Sequence, residues 1–255
     1  MPLSNSFFKT RRAAAQAGPK VKKALMQKHF DTVARHYDLA NTIMSLGLHH
    51  LWKRRAVAML NPMPGQRLAD LCGGTADMSL LAQRQRGAKG PGGVMLNYDL
   101  NQAMLEQGRA KASRLPHGRE LVFIRGDVQE LAIASGSLDA VMVGFGVRNL
   151  SDLTQGLGEM HRVLKPGGRL LCLEFSHPPA AWFGMLYDIY SYLVMPLVGR
   201  VLTGSWNTYA YLAGSIQSFP KPQELGRIMN RAGFSQVSWR RLSAGIATIH
   251  LAVKA

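Results

Sequence analysis

The middle of the chain alternates short apolar segments with longer amphipathic ones, and this alternation limits the possible folds more than any other feature. The predicted strands cover residues 67–72, 94–99, 121–125, 138–144 and 169–175. The predicted helices cover residues 75–85, 103–114 and 153–164. Because strands that are joined through helices run parallel, we predict an α/β fold with a mostly parallel sheet and helices on both faces.

Both ends of the chain add to this sheet. Apolar residues recur at helical spacing between residues 30 and 60, and a further helix is predicted at 222–232. Strands at 236–242 and 247–253 follow, with Ser243–Gly245 as the turn between them. This tail resembles the antiparallel hairpin that closes the sheet of class I methyltransferases, and the resemblance implies that it closes the sheet here.

Residues 182–199 form one long apolar segment. Its length would suffice to span a membrane, but Asp188, Gly184 and Pro196 count against a spanning helix. We predict instead a buried or interfacial helix near the functional site.

The first predicted strand runs directly into a pair of glycines and then a helix, in the segment Asp70-Leu-Cys-Gly-Gly-Thr-Ala-Asp77. Gly73 and Gly74 let the backbone approach a ligand, and the free amides from Thr75 onward favour electron-rich groups. Ligands of such sheets bind at the carboxyl ends of the strands. We therefore expect a cofactor across this turn, although a plain turn between strand and helix has the same pattern.

Two more acids follow the next strands. Asp99 ends the second strand, where a carboxylate can accept hydrogen bonds from ribose hydroxyls, and Asp127, followed by Val128, comes after the third. Together with the glycine turn they predict an adenosine site. The G-x-G-x-x-G pattern of nicotinamide enzymes is not present at this turn, and Asp70 and Asp77 on its two sides favour a cationic ligand such as S-adenosylmethionine.

Several segments resemble the ubiquinone/menaquinone biosynthesis C-methyltransferase family from about residue 27 to the end. They are 30–34 with 37–38, 44–49 with 51–53, 70–77, 99–101 with 104–105, 144–149, 163–168, 173–176, and 211–212 with 215–216. The resemblance implies a class I methyltransferase fold, S-adenosylmethionine as cofactor, and transfer of its methyl group to a ring carbon of a polyprenylated quinol. The two candidate substrates are demethylmenaquinol and 2-methoxy-6-polyprenyl-1,4-benzoquinol.

Three residues are the candidate catalytic groups. The resemblance gives Arg148, after the fourth strand, a polar role beside the substrate together with water. Since arginine keeps its proton, we predict that it stabilises an oxyanion while water carries the proton. Asn149 would orient that water or cap the next helix, and Tyr37, like Tyr211, would contact the substrate or fill the core. No metal is expected.

The chain departs from the family pattern at three positions. Ala76 and Asn97 stand where the family usually has glycine, and His177 stands where it commonly has a basic residue. Ala76 and Asn97 keep open a second interpretation, a non-catalytic binding protein whose cofactor pocket has decayed.

Charge is the other unusual property. The chain has 31 Lys and Arg against 15 Asp and Glu, a formal net charge of +16, and its first 30 residues contain no acid. We predict a basic flexible arm at 1–26 and a single methyltransferase domain at 27–255, with a helical substrate cap formed by 27–60 and 180–220. The arm is also similar to a mitochondrial transit peptide.

A basic surface attracts polyanions. The expected partners are a lipophilic quinol, an anionic membrane surface bound peripherally and, as one open assembly, a second copy in a homodimer. The expected location is the cytoplasmic side of the inner membrane, or the mitochondrial matrix in a eukaryote. A nucleic-acid methyltransferase is the rival interpretation, but Gly144–Asn149 is not the Asn/Asp-Pro-Pro-aromatic motif of amine methylation, so no nucleic acid is expected.

Overall fold

A computed structural model describes residues 19–87, 93–203 and 206–255, and it contains one seven-stranded sheet. The strands are β1 Arg67–Leu71, β2 Val94–Asp99, β3 Leu121–Arg125, β4 Leu138–Gly144, β5 Leu164–Phe175, β6 Phe234–Leu242 and β7 Ala247–Lys254. Their order across the sheet is β3-β2-β1-β4-β5-β7-β6, with β1 to β5 parallel and β7 antiparallel to both of its neighbours. The predicted fold class is confirmed, including the closing hairpin.

Helices cover both faces of the sheet. They are α1 Pro19–Val33, α2 Tyr37–Met44, α3 Leu48–Leu60, α4 Asp77–Arg86, α5 Gln102–Ala112, α6 Leu153–Val163, α7 Ala181–Ile189, α8 Met195–Thr203, α9 Trp206–Ser218 and α10 Pro222–Arg231. Alternate residues of β4 point to opposite faces, as the period of a strand requires. Val141 packs in a cluster with Leu157 of α6, and Met142 packs in a cluster with Trp52 of α3.

β5 begins five residues earlier than the predicted 169. The Lys165–Gly168 segment lies between two stretches of pairing with β4, since Leu138 pairs with Leu164 and Ala140 with Arg169. Gly167 has a φ of +76°, which a glycine adopts without strain. The Lys165–Gly168 segment is therefore an irregularity within β5.

The predicted substrate cap corresponds to two groups of helices that pack on each other. A third apolar cluster joins them through Val33, Ala40, Met44 and Met195, with Tyr37 and Leu212 packed against it. α1 begins at Pro19, so residues 19–26, predicted as part of the flexible arm, are helical in the structure. Residues 1–18 of the predicted arm lie outside the described residues.

The apolar segment after β5 forms α7, a π-helical turn at Tyr190–Val194, and α8. By length and composition residues 181–201 could span a membrane. Only 22% of the most apolar part of this segment is buried inside the protein. Its inner side contributes Phe183, Tyr187 and Tyr190 to a cavity. Its outer side exposes apolar side chains, so the segment is not the buried helix that was one of the two predicted alternatives. The exposed residues of this outer face are Trp182, Met185, Ile189, Leu193, Val194, Leu197 and Val201.

Candidate active site

The glycine turn between β1 and α4 is tightly built. A Cβ at Gly73 would lie 2.0 Å from Asn97 Oδ1, so only glycine fits there, and Gly74 has a φ of +49°. Asn97 holds the turn from the neighbouring strand: its amide donates to the Gly74 carbonyl (3.2 Å), and its Oδ1 lies 2.8 Å from Ser79 Oγ. The asparagine at this position thus supports the turn.

Ala76 adopts the left-handed conformation, with a φ of +65°. Its side chain is fully buried and packs in the apolar cluster that contains Trp52 and Met78. Ala76 is not one of the described residues that line the neighbouring cavity. Its methyl group therefore faces the core and leaves the cavity open.

All eight residues that the sequence predicts for cofactor binding line one cavity at the carboxyl ends of the strands. They are Asp70, Gly73, Gly74, Thr75, Asp77, Asp99, Asp127 and Val128. The cavity has a volume of about 110 Å³. The structure brings these residues together as expected, and their binding of a cofactor stays a prediction.

Two of the acids, the buried Asp70 and the partly buried Asp99, accept hydrogen bonds from the turn or from the helix that follows it. Asp70 Oδ2 accepts from the backbone N and from Oγ of Ser79 (2.9 and 2.8 Å), and Asp99 Oδ2 accepts from the Gly74 N–H (2.9 Å). Burial raises the pKa of Asp70 to about 7, and it raises the pKa of Asp99 to about 6. A cation bound beside them would favour their charged forms.

Asp77 is paired with two lysines. Lys53 and Lys111 each place an ammonium group 2.6 Å from one of its carboxylate oxygens, and Lys111 also pairs with Asp38. Burial alone would raise the pKa of Asp77, but the two lysines outweigh it and hold the pKa below its usual value. The two lysines therefore compensate the charge of Asp77, and its part in favouring a cationic ligand stays a prediction.

α1 contributes groups that the sequence interpretation missed. Lys23 Nζ lies 2.7 Å from Asp127 Oδ2, and Asn101 Nδ2 donates to Asp31 Oδ1 (2.7 Å). Met26 and Phe30 line the cavity. The signal was present in the sequence, because Met26, Phe30 and Val33 form an apolar stripe at helical spacing that begins before residue 27.

A second, larger cavity adjoins the first, with a volume of about 300 Å³ and a mainly apolar lining. All three predicted catalytic residues, Tyr37, Arg148 and Asn149, line it, and so does Tyr211. His177 is not among its described lining residues. The two cavities share one wall, made of Met26, Phe30, Tyr37, Lys53, Phe145 and Asn149.

Arg148 is held by a buried carboxylate that the sequence interpretation did not single out. Its Nη1 donates to Glu174 Oε1 (2.7 Å) and to the Phe145 carbonyl, and its guanidinium lies 5.3 Å from the centre of the Phe175 ring. The side chains of Arg148 and Glu174 are 5% and 1% exposed. Burial raises the pKa of Glu174 even beside Arg148. A glutamate inside the apolar end of a strand was the sequence signal for this pair.

One cluster has the composition of a metal site. Donor atoms of His49, His50 and Asp77 lie within 4.8 Å of one another, and burial lowers the pKa of His49 to about 3, so its ring is neutral. Both oxygens of Asp77 already accept from the ammonium groups of Lys53 and Lys111. These two positive charges oppose a divalent cation, and we assign no metal to the cluster.

Comparison with known proteins identifies the chain at the level of the family. Residues 19–254 match the model of the ubiE/COQ5 methyltransferase family. The chain belongs to this family.

Named relatives of this ubiE/COQ5 protein come from bacteria and from mitochondria. It is 43% identical over 229 residues to a ubiquinone/menaquinone biosynthesis C-methyltransferase UbiE of Acidiphilium cryptum, a match that covers 90% of each chain. It is 35% identical to the mitochondrial 2-methoxy-6-polyprenyl-1,4-benzoquinol methylase of Rattus norvegicus, over 92% of this chain and 81% of that one. We conclude that the ubiE/COQ5 protein is an S-adenosylmethionine-dependent C-methyltransferase.

A solved structure agrees with the fold. An S-adenosylmethionine-dependent methyltransferase of Thermotoga maritima, described as a possible histamine N-methyltransferase, superposes with a TM-score of 0.61 at 16% identity. The match covers 89% of the ubiE/COQ5 chain and all of the other. At this identity the comparison is evidence for the fold alone, and it confirms the class I architecture.

The position of the Ala76 methyl leads to a prediction of small effects. In Ala76→Gly, relief of about 1–2 kcal/mol of left-handed strain is offset by the loss of a buried methyl, about 0.8 kcal/mol, and by the flexibility of glycine, about 0.5–1 kcal/mol. We expect the free energy of unfolding to change by less than about 1 kcal/mol, and the affinity for S-adenosylhomocysteine by less than about threefold.

Urea unfolding and calorimetry measure the two quantities. A tenfold or greater gain in affinity, about 1.4 kcal/mol, would mean that the alanine does impair the pocket, as the interpretation of a decayed site holds.

Proposed function

We propose that the protein transfers a methyl group from S-adenosylmethionine to a ring carbon of a polyprenylated quinol, either demethylmenaquinol or 2-methoxy-6-polyprenyl-1,4-benzoquinol. The observation that carries this proposal is the shared wall between a polar cavity at the strand ends and a larger apolar cavity. A quinol ring with an isoprenoid tail requires an apolar space beside the methyl donor. The names of the relatives from A. cryptum and R. norvegicus refer to the same class of substrate.

The first cavity fits the cofactor. Gly73 and Gly74 line this cavity, and the acids at the strand ends suit an adenosyl group. Asp99 would hold the ribose hydroxyls, and Asp127 with Val128 would hold the adenine. Gly73, Gly74 and Thr75 would border the amino-acid part, with Asp70 and Asp77 at the two ends of the turn. When bound, S-adenosylmethionine supplies a methyl group on a sulfonium.

In the second cavity the residues of the chain prepare the ring. A ring carbon becomes nucleophilic when a neighbouring hydroxyl loses its proton, and an adjacent cation stabilises the resulting oxyanion. Arg148 has that position and keeps its own proton, so water must carry the proton away. Tyr37 and Asn149, on the shared wall, would orient the ring and this water. Phe145 and Phe175, whose ring centres are 4.6 Å apart, exclude bulk water and strengthen these interactions.

The test uses radiolabelled cofactor with extracted quinols and, separately, with RNA. We expect label in the quinol fraction with the wild-type protein and none with Asp99→Ala. In a strain that lacks the gene, mass spectrometry of the quinone pool should find the demethylated quinone. Label in RNA would replace this proposal with the nucleic-acid rival. Binding of S-adenosylhomocysteine without any transfer would favour a non-catalytic protein.

The outer face of α7 and α8, defined above, supports a further part of the proposal, peripheral attachment to an anionic membrane. Exposed apolar patches of this extent mark sites of membrane or protein contact, and the formal net charge of +16 favours an anionic surface. Such a membrane is where a polyprenylated substrate resides. The proposed location is therefore the cytoplasmic side of the inner membrane, or the matrix side in mitochondria. The homodimer stays a prediction.

We expect Leu193→Glu, at a residue that is 63% exposed, to lower partitioning to anionic liposomes by about tenfold, because burying a leucine contributes about 1.5–3 kcal/mol. Sedimentation with liposomes measures this. Val122→Glu on β3, outside this face, is the control and should not change partitioning. A change of oligomeric state with unaltered partitioning would identify the face as a dimer contact. The role of the basic arm is tested by deleting residues 1–18, which leaves α1 complete.

A further inference from the structure

The apolar cavity contains tyrosine hydroxyls that the proposed function has not used. Two of them, those of Tyr187 and Tyr211, are buried without a hydrogen-bond partner among the described residues, although Ser191 lies close to Tyr187. Tyr211 of α9 lines this cavity, and its hydroxyl oxygen is buried without a hydrogen-bond partner in the part of the chain that the structure describes. The ring is fixed, since it stacks on His29 at 5.4 Å between ring centres. Tyr190, in the same cavity, differs, because its hydroxyl donates to the Met44 carbonyl (2.5 Å).

A buried hydroxyl without a partner has an energetic consequence. Leaving a polar group unsatisfied costs about 1–3 kcal/mol, so phenylalanine at position 211 would give a more stable protein without ligand. The mainly apolar lining of the cavity offers a water molecule few partners. A compensating hydrogen bond must then come from a ligand that occupies the cavity and carries a polar atom at that point.

The chemical environment selects the kind of ligand atom. Burial raises the pKa of Tyr211, although Arg148 acts in the opposite direction, so the hydroxyl is protonated at neutral pH and can donate. The charge of Arg148 reaches Tyr37 and Tyr187 as well as Tyr211. An oxygen atom bound in this part of the cavity would therefore face a cation and a phenol donor together.

We propose that the Tyr211 hydroxyl donates a hydrogen bond to a ring oxygen of the quinol, which makes Tyr211 a residue that determines substrate specificity. The inference rests on the proposed function. It predicts that the cavity distinguishes a ring that carries this oxygen from one that lacks it, because the buried hydroxyl is left unpaired in the second case.

The experiment compares wild-type protein with Tyr211→Phe, using a demethylated quinol with a short tail and an analogue that lacks one ring hydroxyl. For Tyr211→Phe we expect kcat/KM on the quinol to fall about tenfold, mainly through KM, and discrimination against the analogue to decrease by the same factor. Affinity for S-adenosylhomocysteine, from calorimetry, should stay the same. The Tm should be equal or higher, by about 2–4 °C for each kcal/mol gained.

Tyr190→Phe is the matched variant for stability. Its hydroxyl has a protein partner, so its removal should lower the Tm. If Tyr211→Phe lowers the Tm and keeps wild-type kcat/KM and discrimination, Tyr211 is a structural residue and the inference is overturned while the proposed function stands. If the wild-type protein binds S-adenosylhomocysteine but methylates no quinol, the proposed function fails and the inference fails with it.

Discussion

Arg148→Ala is expected to lower the turnover number about 100-fold or more, equivalent to about 2.7 kcal/mol of lost transition-state stabilisation. The physical reason is that Arg148 is a cation that lines the apolar cavity together with Tyr37 and Asn149, where charge would develop on the ring oxygen. Affinity for S-adenosylhomocysteine should change by less than about threefold, since Arg148 does not line the first cavity among its described residues. Single-turnover kinetics and calorimetry measure the two effects.

A control is needed because Arg148→Ala leaves Glu174 buried without its partner. The double variant Arg148→Ala with Glu174→Gln removes both charges, and it should be equally slow while unfolding at a higher temperature than the single variant. A loss of turnover below about fivefold in both variants, assayed below their unfolding temperatures, would remove Arg148 from the mechanism.

Glu174→Ala is expected to lower the free energy of unfolding by about 3–5 kcal/mol, because it leaves a guanidinium that is only 5% exposed without a counter-charge. The variant also removes the acceptor of two Arg148 bonds, one from Nη1 and one from the backbone N–H. It should therefore lose turnover as well, since Arg148 is no longer fixed. Urea unfolding monitored by circular dichroism measures the stability.

Two further variants serve as controls for the effect of Glu174→Ala on stability. Lys165→Ala breaks an ion pair with Asp139 in which the lysine side chain is 43% exposed, and it should cost no more than about 1 kcal/mol. Arg148→Met with Glu174→Leu replaces both members of the buried pair by apolar groups and should recover most of the stability without activity. A loss of less than about 1 kcal/mol in Glu174→Ala would contradict the importance of the pair.

Much of the sheet and of the polar cavity could be predicted from local sequence. β2, β3 and β4 have the predicted bounds, because each is a short apolar run with turn residues on both sides. The residues at the strand ends were found for a topological reason: the carboxyl ends of parallel strands meet at one edge of the sheet. Asp99 and Asp127 therefore lie beside Gly74 in one cavity although they are far apart in the chain.

The rest depends on pairings between distant segments, which one sequence does not specify. The ion pairs of Asp77 could not be predicted, because Lys53 and Lys111 approach it from two other helices. Glu174 was overlooked as a site residue because its role depends on the guanidinium of Arg148, 26 positions earlier. Ala76 left the interpretation of a decayed cofactor pocket open, because the direction of its methyl group is set by a left-handed backbone conformation that the sequence does not show.

The wall shared by the two cavities has a thermodynamic consequence: it can couple the affinity for the methyl donor to the affinity for the methyl acceptor. Six side chains border both spaces, so neither occupant meets a surface that is independent of the other. Whatever factor the donor imposes on the dissociation constant of the acceptor, the acceptor must impose the same factor in return. Reciprocal linkage of this kind would allow a lipid-borne acceptor to retain the donor until the transfer is complete.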